Sequence, residues 1–252
     1  MASLQGRHAL VTGGGRGIGR AIAAALTQAG ATVTIAGRNE KTMADVVGQG
    51  EASGYIVADV TDAKAVDGGI KQAVAARGPV DLLIANAGTA TAVPFAKATP
   101  DQFRAMFEVH VLGMMHPVQA VLGGMIERGF GRIVAIASIV GLRASPNVSP
   151  YTTAKHAMLG LVRSIALETA TTGVTVNAVC PGYVDTDLIR GPLDRLVGTG
   201  ASKEDALARF TSRVPVGRLV KPEEVAEAVV YFCSPNAAAT TGSTLVIGAD
   251  GV

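Results

Sequence analysis

A chain of 252 residues, 48% of them hydrophobic, is long enough to bury a large core in a single α/β domain. Its 22 basic and 20 acidic residues leave a net charge of +2, which excludes the basic footprint that nucleic acid or an anionic membrane surface would require. The two cysteines lack the spacing of metal ligands, so we expect no metal site. The longest apolar-looking run, residues 133–142, is too short to cross a bilayer. The polar N-terminus is unlike a signal peptide, so we expect a cytoplasmic location.

Short apolar runs alternate with longer helical patterns along the chain. The apolar runs predict strands at residues 8–11, 32–36, 55–57, 80–85, 132–137, 174–179 and 244–247. The helical patterns lie at residues 17–28, 41–47, 62–76, 100–128, 151–171 and 222–232. This alternation predicts a doubly wound parallel sheet in one domain, 1–252. Residues 185–215 are irregular, with a short helix at 203–210, and form either a substrate lid or a plain surface excursion.

A glycine-rich stretch, VTGGGRGIG, connects the first predicted strand to an amphipathic helix. The P-loop pattern fails because Arg20 stands where that pattern needs lysine, whereas a G-x-x-x-G-x-G pattern fits. Glycines here permit a tight turn and close approach of a pyrophosphate, which would lie on the N–H groups at the helix start. The candidate cofactor-binding residues of this loop are Gly13, Gly15, Arg16, Gly17, Ile18 and Gly19.

The end of the second predicted strand indicates which dinucleotide binds. It reads AGRN at residues 36–39, without the carboxylate that usually accepts a hydrogen bond from the ribose 2′-hydroxyl of NAD. Arg38 could instead pair with a 2′-phosphate, and Arg16 could reach the same group, although both could be ordinary solvated arginines. We therefore predict NADP(H) in preference to NAD(H).

Tyr151 and Lys155 are four residues apart in a helix predicted to begin near Pro150, so both lie on one face of that helix. A nearby ammonium lowers the pKa of a phenol below its usual value of about 10, which suits proton transfer near neutral pH. A tyrosine and a lysine that merely share a helix surface are the alternative interpretation.

Taken together and in this order, the motifs resemble the short-chain dehydrogenase/reductase family, and most closely its β-ketoacyl reductases and polyketide ketoreductases. The resemblance covers essentially the whole chain. It implies a single Rossmann-like domain with a seven-stranded parallel sheet in the order 3-2-1-4-5-6-7. The residues that carry it are residues 12–19, Asp59, Val60, Asn86, Ala87, Gly88, Ser138, Tyr151, Lys155, Pro181, Gly182 and Thr186.

The resemblance also implies a role for each of these residues. Tyr151 would donate a proton to a carbonyl oxygen, Ser138 would stabilise the developing oxyanion, and Lys155 would lower the pKa of Tyr151 and bind the nicotinamide ribose. The other cofactor contacts that it implies are Asp59 and Val60 at the adenine, Asn86, Ala87 and Gly88 along the dinucleotide, and Pro181, Gly182, Val184 and Thr186 at the nicotinamide amide.

One position departs from the family pattern. His110 stands where the family often has an asparagine that helps to hold a water linking the lysine to solvent. An imidazole, with its usual pKa of about 6.5, could take part in a proton relay, so we include His110 among the candidate catalytic residues. A histidine packed between helices is the competing interpretation, and a main-chain carbonyl could hold the water instead.

The resemblance implies NADP(H)-dependent hydride transfer between nicotinamide and a ketone or secondary alcohol. The expected substrate is a 3-oxoacyl thioester of CoA or of a carrier protein, or a similar small ketone. The alternatives are an NAD-linked secondary alcohol or hydroxyacyl-CoA dehydrogenase and a non-catalytic NADP-binding regulator. Basic residues of the predicted lid could meet CoA phosphates, although solvated charges explain them better; they are Arg190, Arg195, Lys203, Arg209 and Arg213.

The resemblance further implies a homotetramer built through the two long helices predicted at residues 100–128 and 151–171. The apolar residues Val118, Val121 and Leu122 are compatible with such an interface. They are equally compatible with burial inside one subunit.

Overall fold

The computed structural model describes residues 3–212 and 214–248. Residues 1–2, 213 and 249–252 lie outside this description, and with them Arg213, one of the basic residues of the predicted lid. The strands are β1 (His8–Thr12), β2 (Thr32–Gly37), β3 (Gly54–Val57), β4 (Leu82–Ala85), β5 (Gly131–Ile136), β6 (Val174–Pro181) and β7 (Thr244–Ile247). They form one parallel sheet in the order β3-β2-β1-β4-β5-β6-β7, which confirms the predicted fold class and strand order.

Helices cover both faces of the sheet. The helices are α1 (Gly17–Gln28), α2 (Glu40–Gly48), α3 (Ala63–Arg77), α4 (Pro100–Phe107), α5 (Gly113–Glu127), α6 (Ser149–Glu168), α7 (Asp187–Gly198), α8 (Lys203–Thr211) and α9 (Pro222–Cys233). Side chains alternate across a strand, so in β1 Val11 faces the core beneath α1, α2 and α9, and Leu10 faces the core beneath α3, α5 and α6. Two buried faces explain why the strands read as continuous apolar runs.

The helix predicted at residues 100–128 consists of α4, a π-helical turn at Glu108–Leu112, and α5. Pro100–Glu127 is long enough to cross a membrane and contains an 18-residue window with a mean hydropathy of 1.3, but its apolar side packs against the sheet. Val118 and Val121 are buried there, and Leu122 is partly buried beside them. These three residues therefore belong to the core of the subunit.

Two helical predictions need correction. The helix predicted to reach residue 171 ends at Glu168, and the chain then turns through Thr169 to Gly173, which has a φ of 81°. The stretch at 185–215 contains α7 in addition to α8, the helix predicted at 203–210. The pattern of α7 was missed because Gly191 and Pro192 lie inside it, and both disfavour a helix interior.

Asn177 connects β6 to the chain that enters β7. Its side chain is fully buried, donates to the carbonyl of Thr240 over 2.8 Å and accepts from the N–H of Ser243 over 3.1 Å. Asn177→Ala leaves both backbone groups without a hydrogen-bond partner. We therefore expect the free energy of unfolding, measured in urea titrations, to fall by roughly 1–3 kcal/mol. Asn236→Ala, at an exposed position, should change it by less than about 0.5 kcal/mol. An equal effect of the two substitutions would contradict this role of Asn177.

Candidate active site

A cleft of about 1340 Å³ lies at the carboxyl ends of the parallel strands. Crevices at this edge are where doubly wound folds bind ligands. The cleft is lined by all the candidate site residues that the sequence indicated: Gly13, Gly15, Arg16, Gly17, Ile18, Gly19, Arg38, Asp59, Val60, Asn86, Ala87, Gly88, His110, Ser138, Tyr151, Lys155, Pro181, Gly182, Val184 and Thr186. Residues far apart in sequence are thus brought to one surface.

The glycine-rich loop between β1 and α1 packs too closely for side chains. Gly13 has a φ of 67°, and a Cβ there would lie 2.9 Å from the side-chain nitrogen of Asn86. A Cβ at Gly19 would collide with the carbonyl oxygen of Gly13. The first turn of α1 carries no acidic residue and its N-terminus has no side-chain cap, so its N–H groups remain available to an anion. These features fit the pyrophosphate of a dinucleotide.

The ends of β1 and β4 are joined by side chains. The hydroxyl of Thr12 accepts from the N–H groups of Asn86 and Ala87, over 3.0 and 3.1 Å. In return the amide of Asn86 donates to the carbonyls of Thr12 and Gly13. Thr12 was not among the candidate site residues, although its place directly before the glycines is a usable signal. The bonds fix the glycine loop against the neighbouring strand end.

Two exposed arginines, Arg16 and Arg38, line the cleft. Arg38 lies 3.5 Å from Asp59, and Arg16 lies 3.5 Å from Asp187 in the first turn of α7. The side chains of Arg38 and Arg16 are 80% and 78% exposed, so both can turn towards a ligand. Hydrogen bonds from Thr61 and the charge of Arg38 hold the pKa of Asp59 below its usual value. Residues of this region that the sequence did not single out are Asn39, Glu40, Lys41, Thr42 and Met43.

Ser138 and Tyr151 form a pair of hydroxyls in the cleft. Ser138 directly follows the end of β5 and caps the short helical turn Ile139–Gly141 by accepting from the N–H of Val140. Tyr151 stands in the first turn of α6, which begins with Ser149 and Pro150. Burial raises the pKa of Tyr151 to about 12, and the hydrogen bond with Ser138 opposes this rise. Burial therefore outweighs this hydrogen bond, and the lowering of the pKa of Tyr151 by Lys155 stays a prediction.

Lys155 is 4% exposed, and its ammonium donates to the carbonyl of Ile136 over 2.7 Å. The ammonium lies 5.7 Å from the centre of the Tyr151 ring and 3.7 Å from the sulfur of Met158. Burial lowers the pKa of Lys155 to about 7. Lys155 therefore exchanges its proton near neutral pH, whereas Tyr151 stays protonated.

His110 lies in the π-helical turn and is 2% exposed. Its Nε2 is 2.7 Å from the carbonyl of Thr89, and its ring meets that of Tyr151 edge to face, with centroids 5.3 Å apart. Burial, assisted by the charge of Lys155, lowers the pKa of His110 to about 3. The imidazole is therefore neutral under ordinary conditions, unlike a free histidine.

Leu188 and Ile189 of α7 line the mouth of the cleft, and the sequence missed them because α7 itself was not predicted. Within residues 3–212 and 214–248, no three His, Cys, Asp or Glu side chains are grouped as a metal site would require.

Comparisons with known proteins agree with this geometry. A family profile described as short chain dehydrogenase matches residues 7–193. An acetoacetyl-CoA reductase of Rhizobium meliloti is 40% identical over 243 residues, covering 95% of each chain. A 3-oxoacyl-acyl-carrier-protein reductase of Vibrio harveyi is 36% identical, covering 96% of each. The crystal structure of a variant of actinorhodin polyketide ketoreductase with NADPH superposes with a TM-score of 0.90 at 37% identity, covering 98% of this chain and 97% of that one.

Burial of Lys155 makes stability depend on pH. Its pKa is 10.5 in the unfolded chain and about 7 in the folded one, so between these values the unfolded state binds more protons and stability rises with pH. Lys155→Met removes this penalty, and we expect it to raise the free energy of unfolding at pH 7 by roughly 1–3 kcal/mol. The gain should shrink as the pH approaches 10.

Urea titrations at pH 7 and pH 9.5 measure this difference. Lys97→Met, at an exposed position, makes the same change of side chain and should give no gain. A Lys155→Met protein that is less stable than the wild type at pH 7 would show that the ammonium contributes more through its bond to Ile136 than burial costs.

Proposed function

The chain belongs to the short-chain dehydrogenase family of oxidoreductases, and from this premise we propose that it reduces 3-oxoacyl thioesters with NADPH. The observation that carries the proposal is the pair of hydroxyls on Ser138 and Tyr151, which lie half-buried beside the buried Lys155 in the cleft that contains the glycine loop. A proton donor and a nucleotide-binding loop in one cleft are what carbonyl reduction requires.

The loop at residues 13–19 would hold the pyrophosphate, and Asp59 and Val60 would border the adenine. Asn86, Ala87 and Gly88 would line the dinucleotide, with Pro181, Gly182, Val184 and Thr186 at the nicotinamide amide. The bound nicotinamide would supply a hydride to the carbonyl carbon. The close packing around Gly13 and Gly19 supports this assignment, because any side chain there would collide with the loop that would hold the pyrophosphate.

Tyr151 donates a proton to the substrate oxygen in this proposal, and Ser138 donates a hydrogen bond to the oxyanion as it develops. A phenol whose pKa is about 12 is fully protonated at neutral pH, as a donor must be. Lys155, whose pKa is about 7, stabilises the phenolate that forms and can return a proton to it. Lys155 would also bind the nicotinamide ribose.

We propose NADP(H) rather than NAD(H) because Arg38 and Arg16 offer two exposed guanidinium groups to a 2′-phosphate. The carboxylate that would select the ribose hydroxyl of NAD is missing from the end of β2, at residues 36–39. Asp59, which follows β3, is already engaged by Thr61 and Arg38.

The substrate class rests on the relatives, two of which are named as reductases of acetoacetyl-CoA and of 3-oxoacyl carrier protein. We propose that residues 185–215 form a lid over the cleft, with Leu188 and Ile189 towards the acyl chain. Arg190 is held by Asp185 in a bidentate ion pair, so it is not a free partner for CoA phosphates. CoA thioesters and carrier-protein thioesters both fit this proposal.

We further propose a cytoplasmic homotetramer in which residues 1–252 form one catalytic domain. The buried free thiols of Cys180 and Cys233 suit a reducing compartment. Phe107 is 44% exposed beside a groove of about 270 Å³ between α4 and α6, which also contains Phe103 and Pro150. An apolar groove of this kind supports subunit contacts through α4 and α6.

Tyr151→Phe tests the assignment of the proton donor. The wild type should oxidise NADPH in the presence of acetoacetyl-CoA, and the variant should lose at least about 100-fold in kcat, because general acid catalysis is worth that much. NADPH fluorescence titration should give the same Kd for both proteins. Near-normal turnover by the variant would remove Tyr151 from the mechanism.

Arg38→Leu tests the cofactor preference. Loss of one charge-assisted hydrogen bond should raise the Kd for NADPH about tenfold or more and leave the Kd for NADH nearly unchanged. Lys71→Leu removes an exposed, ion-paired charge on α3 outside the cleft and serves as the control. If the wild type binds NADH more tightly than NADPH, an NAD-linked dehydrogenase becomes the better assignment.

A further inference from the structure

The turn at residues 59–62, after β3, carries Asp59 and Val60, the two residues proposed to border the adenine. The N–H of Asp62 donates to the carbonyl of Asp59 over 3.0 Å. The carboxylate of Asp59 accepts from the N–H and the hydroxyl of Thr61, over 3.0 and 2.8 Å. These bonds shape the turn internally, but they do not hold it against the helices that surround the sheet.

Helix α5 supplies a hydrogen bond to this turn. His116, half-buried in the first turn of α5, has its Nδ1 2.9 Å from the carbonyl oxygen of Val60. A carbonyl oxygen can only accept a hydrogen bond, so Nδ1 carries the hydrogen and donates it. Within the described part of the chain, the lining of the cleft includes Val60 but not His116. The imidazole therefore acts on the cleft through Val60.

Gly113 lies three residues before His116, on the same face of α5. A Cβ at Gly113 would lie 2.7 Å from Cγ2 of Val60 and 3.2 Å from its Cβ, closer than side-chain carbons pack. The absence of a side chain at Gly113 thus lets the helix approach the turn. One polar contact and one apolar contact hold Val60 from the same face of α5.

A single peptide group connects His116 to Asp59. The carbonyl of Val60 and the N–H of Thr61 belong to one planar trans unit, so they point in opposite directions. His116 donates to this carbonyl, and the carboxylate of Asp59 accepts from this N–H. Rotation of the unit would break both bonds together. The orientation of the Asp59 carboxylate, and of Arg38 at 3.5 Å from it, therefore depends on the imidazole of α5.

We propose that His116 is a positioning residue for the cofactor, and that together with Gly113 it holds Val60 and Asp59 in place to receive the adenine. A turn that is fixed before the ligand arrives reduces the free energy lost on binding. A change that releases the turn should therefore weaken cofactor binding without altering proton transfer from Tyr151. This inference rests on the proposed function, which assigns the adenine to Asp59 and Val60.

Substitutions of His116 test the donor at Nδ1. We expect His116→Leu to raise the KM and Kd for NADPH about fivefold, the worth of one hydrogen bond, and to leave kcat with acetoacetyl-CoA unchanged. His116→Asn places an amide nitrogen near the position of Nδ1 and should return the Kd to within about twofold of the wild type. His116→Gln places its amide one bond further from the backbone, so it should resemble the leucine variant.

His156→Leu is the matched control. The Nδ1 of this exposed histidine of α6 also lies 2.9 Å from a carbonyl oxygen, that of Thr152 in the same helix, and its loss should change none of these constants. If the leucine variant of His116 does not fold, the asparagine and glutamine variants make the same comparison. Equal Kd values for NADPH in those two variants, or a fall in kcat as large as the rise in KM, would overturn the proposal.

Fragments of the cofactor separate the adenine end from the rest of the site. Adenosine 2′,5′-bisphosphate contains the adenine, so calorimetry should show its Kd rising in His116→Leu by the same factor as that of NADPH. Reduced nicotinamide mononucleotide lacks the adenine and should bind both proteins equally, and a rise in its Kd instead would contradict this role of His116. Neither titration involves turnover. A wild type that binds both fragments but does not reduce acetoacetyl-CoA would therefore reject the reductase function alone.

Discussion

The candidate site depends on one buried charge. The ammonium of Lys155 is removed from water and held by the carbonyl of Ile136. Ser138 lies two residues beyond that carbonyl, and Tyr151 lies one helical turn before the lysine. The bond therefore sets α6 against the end of β5 so that the two hydroxyls meet. If α6 slid along β5, the buried ammonium would lose its hydrogen-bond partner. That loss costs far more free energy than the loss of an ordinary apolar contact.

Around this charge, the glycine loop and the strand ends bring main chain to the surface of the cleft. Parallel strands end at one edge, and the bonds between Thr12 and Asn86 keep the ends of β1 and β4 in register. At Gly13 and Gly19 two backbone segments lie in contact, and a side chain at either position would push them apart. A site formed in this way is rigid before any ligand arrives, which reduces the entropy lost on binding.

The sequence predicted the sheet and the residues that line the cleft, because both can be recognised from short stretches of the chain. Apolar runs locate strands that are covered on both faces, and motifs at strand ends meet wherever a parallel sheet forms. The direction of the Tyr151 pKa could not be predicted in this way, since it depends on how much of α6 and β5 surrounds the phenol. The tautomer of His110 depends on Thr89, a partner 21 residues away whose carbonyl carries no sequence signal.

Helix α7 differs from the other helices of the fold in its packing. None of its residues, Asp187–Gly198, is buried, although Leu188 and Ile189 line the cleft. Substitutions in α7 therefore change the lining of the cleft while leaving the packed cores on both faces of the sheet untouched. Selection can remodel this helix at little cost in folding, so the shape of the cleft can change among descendants of this chain without a prior gain in stability.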